Sequence, residues 1–209
     1  VTAVPRLLVV TDRRLAGERP LADVVRAAVA GGARAVLLRE KDLPVAERRR
    51  LAVELAGVLA PAGGTLVVAG DPALAAELGA GLHLAAGQRP VPGAGRLVGR
   101  SCHGPAELAA ARRDGAAYAT LSPVFPTASK PGYGPALGPD GLADAVAAVP
   151  DLPVLALGGV GPGRVAACRS AGAHGVAVMG EVMRAGDPAE VVRRLHAELE
   201  RAEPLEATR

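Results

Sequence analysis

The chain is almost without aromatic residues. Of 209 residues only Tyr118, Phe125 and Tyr133 are aromatic, and tryptophan is absent. Half the residues are nonetheless hydrophobic, so the core has to be built from Ala, Val and Leu, which suits slim helices lying close on a sheet. Lysine is scarce too. Among 24 basic residues only Lys41 and Lys130 are lysines, and a compact ammonium in an arginine-dominated chain marks places where a point charge is wanted. The two cysteines, Cys102 and Cys168, give neither a disulfide framework nor metal-ligand spacing and read as packed thiols. No run of 18 apolar residues appears, and the first residues lack a long apolar stretch. Neither a membrane span nor a secretory leader is expected, and the expected location is cytoplasmic. A net charge of +3 with no basic run argues against nucleic acid and suits a small anionic ligand.

What is present is a regular alternation. Short β-rich runs occur at Arg6–Val10, Ala35–Arg39, Thr65–Ala69, Gly81–Leu84, Leu97–Ser101, Ala117–Ser122, Pro153–Leu157 and Gly175–Val178. Segments of helical period lie between them at Leu21–Ala30, Val45–Ala60, Pro72–Leu78, Pro105–Arg113, Gly141–Ala148 and Pro162–Ala171, with Pro188–Arg201 last. Only Ala85–Gly95, between the fourth and fifth strands, lacks a helix. Asp71-Pro72 and Asp187-Pro188 each place a capping carboxylate before a Pro at the first helical position. Gly32-Ala33, Gly79-Ala80, Gly115-Ala116 and Gly172-Ala173 precede every second strand, where Gly can end a helix in the left-handed conformation. The pattern predicts a single-domain (β/α)₈ TIM barrel over residues 1–201, with a polar tail at 202–209. An open doubly wound sheet would carry a glycine-rich turn after its first strand, whereas Thr11-Asp12-Arg13 stands there.

Chemistry in such a barrel belongs at the strand C-termini and the loops after them. Arg39 and Lys41 follow the second strand and share one side if extended backbone continues. Ser101 and His103 share a side at the end of the fifth strand, with Cys102 opposite, and an imidazole there suits general acid/base work. His83 should point into the barrel while Leu82 and Leu84 face helices. His174 and His196 read as structural or solvated. The long loop after the sixth strand carries Phe125, Thr127, Ser129 and Lys130, with donors for an anion. Gly158-Gly159 and Met179-Gly180 end the seventh and eighth strands, where barrels bind phosphate through backbone N–H groups.

Taken together, Leu38-Arg39-Glu40-Lys41, Gly81-Leu82-His83-Leu84, Gly99-Arg100-Ser101-Cys102-His103, Ser122 through Lys130 and Ala156-Leu157-Gly158-Gly159-Val160 resemble the thiamine-phosphate synthase/TenI superfamily over nearly the whole chain. The resemblance implies a barrel acting on thiamine precursors, with a small phosphorylated thiazole as ligand. In the synthase branch it implies Mg²⁺, held by an Asn-Asp pair after the third strand and an acidic residue after the fourth. This chain has Ala69-Gly70 and then Ala85-Ala86-Gly87-Gln88-Arg89, with Asp71 one position off, and Leu37 where the synthase carries Gln. The metal-free tautomerase branch, TenI, is similar in Gly-Arg-Ser-x-His. On that ground the expected activity is a thiazole tautomerase. His103 moves a proton on a carboxythiazole phosphate, with no metal and no cofactor. Gly158, Gly159, Met179 and Gly180 hold the phosphate, and Arg39, Lys41 or Lys130 meets the carboxylate. The Mg²⁺-dependent synthase, favoured by Lys41, Thr127, Ser129 and Lys130, is the alternative. A non-catalytic thiazole-phosphate-binding barrel is a third reading. Ala-rich outer helix faces leave a homodimer open.

Overall fold

The computed structural model describes residues 3–91, 97–127 and 136–202. Eight parallel strands form a closed ring in chain order: β1 (Leu7–Val10), β2 (Ala35–Leu38), β3 (Thr65–Ala69), β4 (Gly81–Leu84), β5 (Val98–Cys102), β6 (Tyr118–Leu121), β7 (Val154–Ala156) and β8 (Gly175–Val178). The register of β1 against β8, Leu8 beside Ala177 and Val9 beside Val178, shuts the barrel. Around it run α1 (Leu21–Ala30), α2 (Val45–Leu59), α3 (Pro72–Glu77), α4 (Pro105–Arg113), α5 (Gly138–Ala147), α6 (Val165–Ser170), the short α7 (Gly180–Met183) and α8 (Pro188–Arg201). This is a TIM barrel. Residues 85–91 hold a turn and no helix, and residues 92–96 lie outside the described set.

Strand alternation divides the core in two. Leu7, Val9, Val36, Leu38, Val68 and Leu82 pack outward against the helices. Leu8, Val10, Leu37, Val67, Tyr118 and Leu155 fill the interior. With one buried aromatic inside, small side chains complete the layers. Cys102 and Cys168 are buried free thiols, and desolvation pushes them up to about 12 and about 11.

The local signals act as read from the sequence. Asp71 and Asp187 accept the backbone N–H of Leu74 and Glu190, both at 3.0 Å, which caps α3 and α8. Each Gly-Ala pair ends its helix with Gly at positive φ. The following Ala N–H then reaches back to a helix carbonyl, as in Ala33 to Ala28 and Ala116 to Ala111, the Schellman arrangement. The differences are at element ends. α6 starts at Val165 rather than Pro162, α5 starts at Gly138, and a 3₁₀ turn (Ala60–Ala62) finishes α2. Short connections tighten there, and periodicity does not register a single turn.

Candidate active site

A cavity of about 1050 Å³ opens at the C-terminal rim of the strands. Its depth comes from small or absent side chains at the strand ends: Ala69, Gly70, Ala85, Gly158, Gly159 and Ala177 all line it. Every βα loop begins at this rim, so functional groups from distant parts of the chain meet there.

The β2 end is cationic. Past Leu38 the chain stays extended enough that Arg39 and Lys41 line the cavity while Glu40, between them, is buried. Glu40 accepts from Thr11 Oγ1 at 2.8 Å and from the Arg13 guanidinium at 3.1 Å. Arg13 also holds Asp42, whose carboxyl lies well below the usual range because of that hydrogen bond. Lys41 is lowered from its ordinary value, first by lost hydration and then by the Arg39 guanidinium. Arg48, from the first turn of α2, joins this side of the cavity. Sequence periodicity assigned it only to a helix. The signal that could have found it is that each helix after a barrel strand starts at the functional rim.

The β4–β6 side carries a buried hydrogen-bonded row. His83 faces inward, with Leu82 and Leu84 in the outer core. Its Nδ1 lies 3.1 Å from the Tyr118 hydroxyl and its Nε2 3.0 Å from Ser101 Oγ. His83, Gly99 and Tyr118 are register partners on three successive strands. The two rings therefore meet across β5 only because Gly99 has no side chain. Burial, then Arg39 and Lys41, push His83 down to about 3. The unfolded chain takes up a proton near pH 6.5 and the folded chain does not. Stability therefore falls as pH drops from about 6.5 toward 3, by up to about 1.4 kcal/mol per pH unit. In thermal melts between pH 7 and pH 4, the stability difference between wild type and His83→Gln is expected to shrink with falling pH. A constant difference would refute the assignment.

His103 lines the cavity at the end of β5. Its Nδ1 is 2.9 Å from the Ser122 carbonyl. A carbonyl only accepts, so Nδ1 carries the hydrogen, and in the neutral ring Nε2 is the acceptor. Its backbone N–H donates to Glu107 at 2.7 Å.

The β7–β8 side is the glycine-bearing one, with Gly158, Gly159, Met179 and Gly180 all on the cavity. The backbone at Gly158 and Gly159 has φ of 93° and 62°, and a Cβ at Gly159 would stand 2.5 Å from the Pro126 carbonyl. Glycine is required there by both counts. Arg184 lies against Gly180, and Arg164 donates to the Gly159 carbonyl.

The loop after β6 departs from expectation. Thr127 lines the cavity, but Phe125 does not. Its ring packs on the outer core with the Arg164 guanidinium 4.9 Å above it. Beyond Leu121 the strand has ended, so alternation no longer fixes where a side chain goes. Ser129 and Lys130 lie outside the described residues. His174 and His196 bond the backbone carbonyls of Val4 and Gly32, away from the cavity.

The polar side chains that follow β3 and β4 are engaged within the protein. Asp71 Oδ1 caps α3, and Oδ2 accepts from Arg48 at 2.9 Å. Both interactions hold its carboxyl below the usual range. In the next loop Gln88 accepts from Ala85 N–H at 2.8 Å and donates to the Gly70 carbonyl at 3.2 Å. Among the described residues no cluster of three His, Cys, Asp or Glu could hold a metal ion, and no helix is long and apolar enough to cross a membrane.

A family model described as thiamine monophosphate synthase matches residues 7–182. A putative thiamine-phosphate synthase of Geobacter sulfurreducens is 41% identical over 198 residues, covering 91% of this chain and 92% of that protein. A thiamine-phosphate synthase of Roseiflexus castenholzii is 40% identical, covering 90% of this chain and 85% of that protein. Among solved structures, a thiamine phosphate pyrophosphorylase from Pyrococcus furiosus superposes with a TM-score of 0.84 at 28% identity, covering 95% and 97% of the two chains. These relatives overturn the expected thiazole tautomerase. The expectation leaned on His103 and on missing carboxylates, and an imidazole bonded to a backbone carbonyl can serve a cavity without shuttling protons. The chain belongs to the thiamine monophosphate synthase family.

Proposed function

We propose that this barrel is a transferase that joins a hydroxymethylpyrimidine pyrophosphate to a thiazole phosphate. The observation that carries the reading is one cavity with two anion-suited arcs: Arg39 and Lys41 after β2, and the glycine turns after β7 and β8. Two phosphorylated substrates need two such places. The names of the relatives support the same reading.

In the reaction the bond from the pyrimidine methylene carbon to the pyrophosphate oxygen breaks, and its electron pair leaves with pyrophosphate. The thiazole ring nitrogen supplies the pair for the new carbon–nitrogen bond and becomes cationic. No proton moves, so no acid/base residue is required. Arg39 and Lys41 stabilise the charge that grows on the leaving oxygen, as fixed donors do when aimed at developing charge. Gly158, Gly159, Met179 and Gly180 hold the thiazole phosphate, and Ser101, held by His83, faces the space between. His103, on the same side, is assigned a hydrogen-bonding part.

The family generally works with Mg²⁺. The residues on the loops after β3 and β4 do not fit that ion: Asp71 is tied on both oxygens and Gln88 is neutral, whereas Mg²⁺ takes hard carboxylate oxygens. No step above uses it.

Incubation with both substrates, followed by product identification, is expected to give thiamine phosphate and pyrophosphate in equal amounts. Binding of either substrate without turnover would overturn the reading.

A further inference from the structure

We propose that the β2–β4 arc of the rim binds a pyrophosphate group directly through Arg39, Lys41 and Arg48, with no divalent ion bridging the anion to protein carboxylates. The substrate that carries this group follows from the coupling reading; the binding mode stands on the residues below.

The carboxylates beside these cations already hold protein partners, Asp12 through one oxygen only. Glu40 is bonded to Thr11 and Arg13, and Asp42 to Arg13 and Arg14. Asp12 accepts the backbone N–H of Arg14. Asp71 caps α3 and pairs with Arg48. Turning Asp71 toward a metal would uncap the helix and would strip Arg48 of its carboxylate partner. The neighbouring loops offer Gly70 and the neutral Gln88, whose amide spans from Ala85 to Gly70.

The cations are left in excess. No carboxylate lies within ion-pair reach of Arg39 or Lys41 among the described residues, and lost hydration and the Arg39 guanidinium together lower Lys41. Arg48 gives Nη1 to the Leu43 carbonyl and Nη2 to Asp71, yet its Nε is buried with no partner. Uncompensated positive charge beside a cavity calls for an anion. A pyrophosphate has oxygens for all three side chains and a charge to match. Guanidinium–phosphate hydrogen bonds are among the strong ones. On this account the arginines take over the charge neutralisation that a divalent ion supplies where carboxylates are available to hold it.

The test is calorimetric titration of the intact protein with inorganic pyrophosphate, once in chelator and once with Mg²⁺. The expected affinities differ by less than about threefold. Arg48→Gln and Lys41→Ala are each expected to weaken binding about tenfold, corresponding to about 1.4 kcal/mol for a lost charged contact. Lys41 sits exposed at the mouth, so its removal leaves the fold intact even if Arg48→Gln does not. Binding that disappears in chelator and returns with Mg²⁺ would overturn the proposal, as would no binding in either condition. Metal-independent binding without any coupling would sink the transferase reading alone.

Discussion

Gly99→Ala is expected to destabilise the barrel by about 2–6 kcal/mol and to lower its Tm by roughly 10 °C, since a domain of this size loses about 2–4 °C per kcal/mol. The added Cβ would lie 2.2 Å from Tyr118 Cζ and 2.5 Å from His83 Nδ1. Tyr118 is fully buried and held in the barrel interior, and His83, nearly as buried, can yield only toward the cavity it lines. Overpacking of this kind costs about 1–3 kcal/mol. Pushing the rings apart also breaks the Tyr118–His83 hydrogen bond and strands polar atoms in the core, for about 1–3 kcal/mol more. Urea and thermal unfolding measure the sum. A variant within about 1 kcal/mol of wild type would mean that the row of rings slides easily, contrary to close packing.

The second large effect falls on ligand handling. Gly159→Ala is expected to raise the KM for the thiazole phosphate at least tenfold while leaving inorganic pyrophosphate binding within about threefold. A left-handed backbone, φ 62° here, costs an L-residue about 1–2 kcal/mol. The methyl would also press on the Pro126 carbonyl at 2.5 Å and on Phe125 Cβ at 2.9 Å. The β6 and β7 loops then part, and the turn that faces the phosphate moves with them. Steady-state kinetics with each substrate varied in turn separates the two arcs. An unchanged KM for the thiazole phosphate would remove this turn from its binding site.

Much of the architecture was legible in the chain because it follows from period and punctuation. Strands of four or five residues with apolar alternation, and Gly-Ala pairs ending helices, are local signals. They located all eight strands and showed that His83 points inward. Arg39, Ser101 and His103 were legible for the same reason, since alternation carries a residue at or next to a strand end to the cavity, and Lys41 was legible because the chain past Leu38 happens to keep that side. Arg48 and Gln88 were not, since their place depends on how α2 and the β4 loop pack over the rim. Phe125 was misplaced because the rule of alternate sides stops where the strand stops. The activity was misread for a chemical reason. His103 alone does not distinguish a proton shift from a displacement that needs no proton transfer, and the relatives named as synthases count against the proton shift.

The ring of strands has one more consequence. With β1 hydrogen-bonded to β8, no described strand presents an unsatisfied backbone to another molecule, so chains cannot accrete edge to edge while the barrel stays shut. Fibre-like association then has to wait for the β1–β8 seam to part. Its onset should track the unfolding transition, and whatever strengthens that seam should delay it.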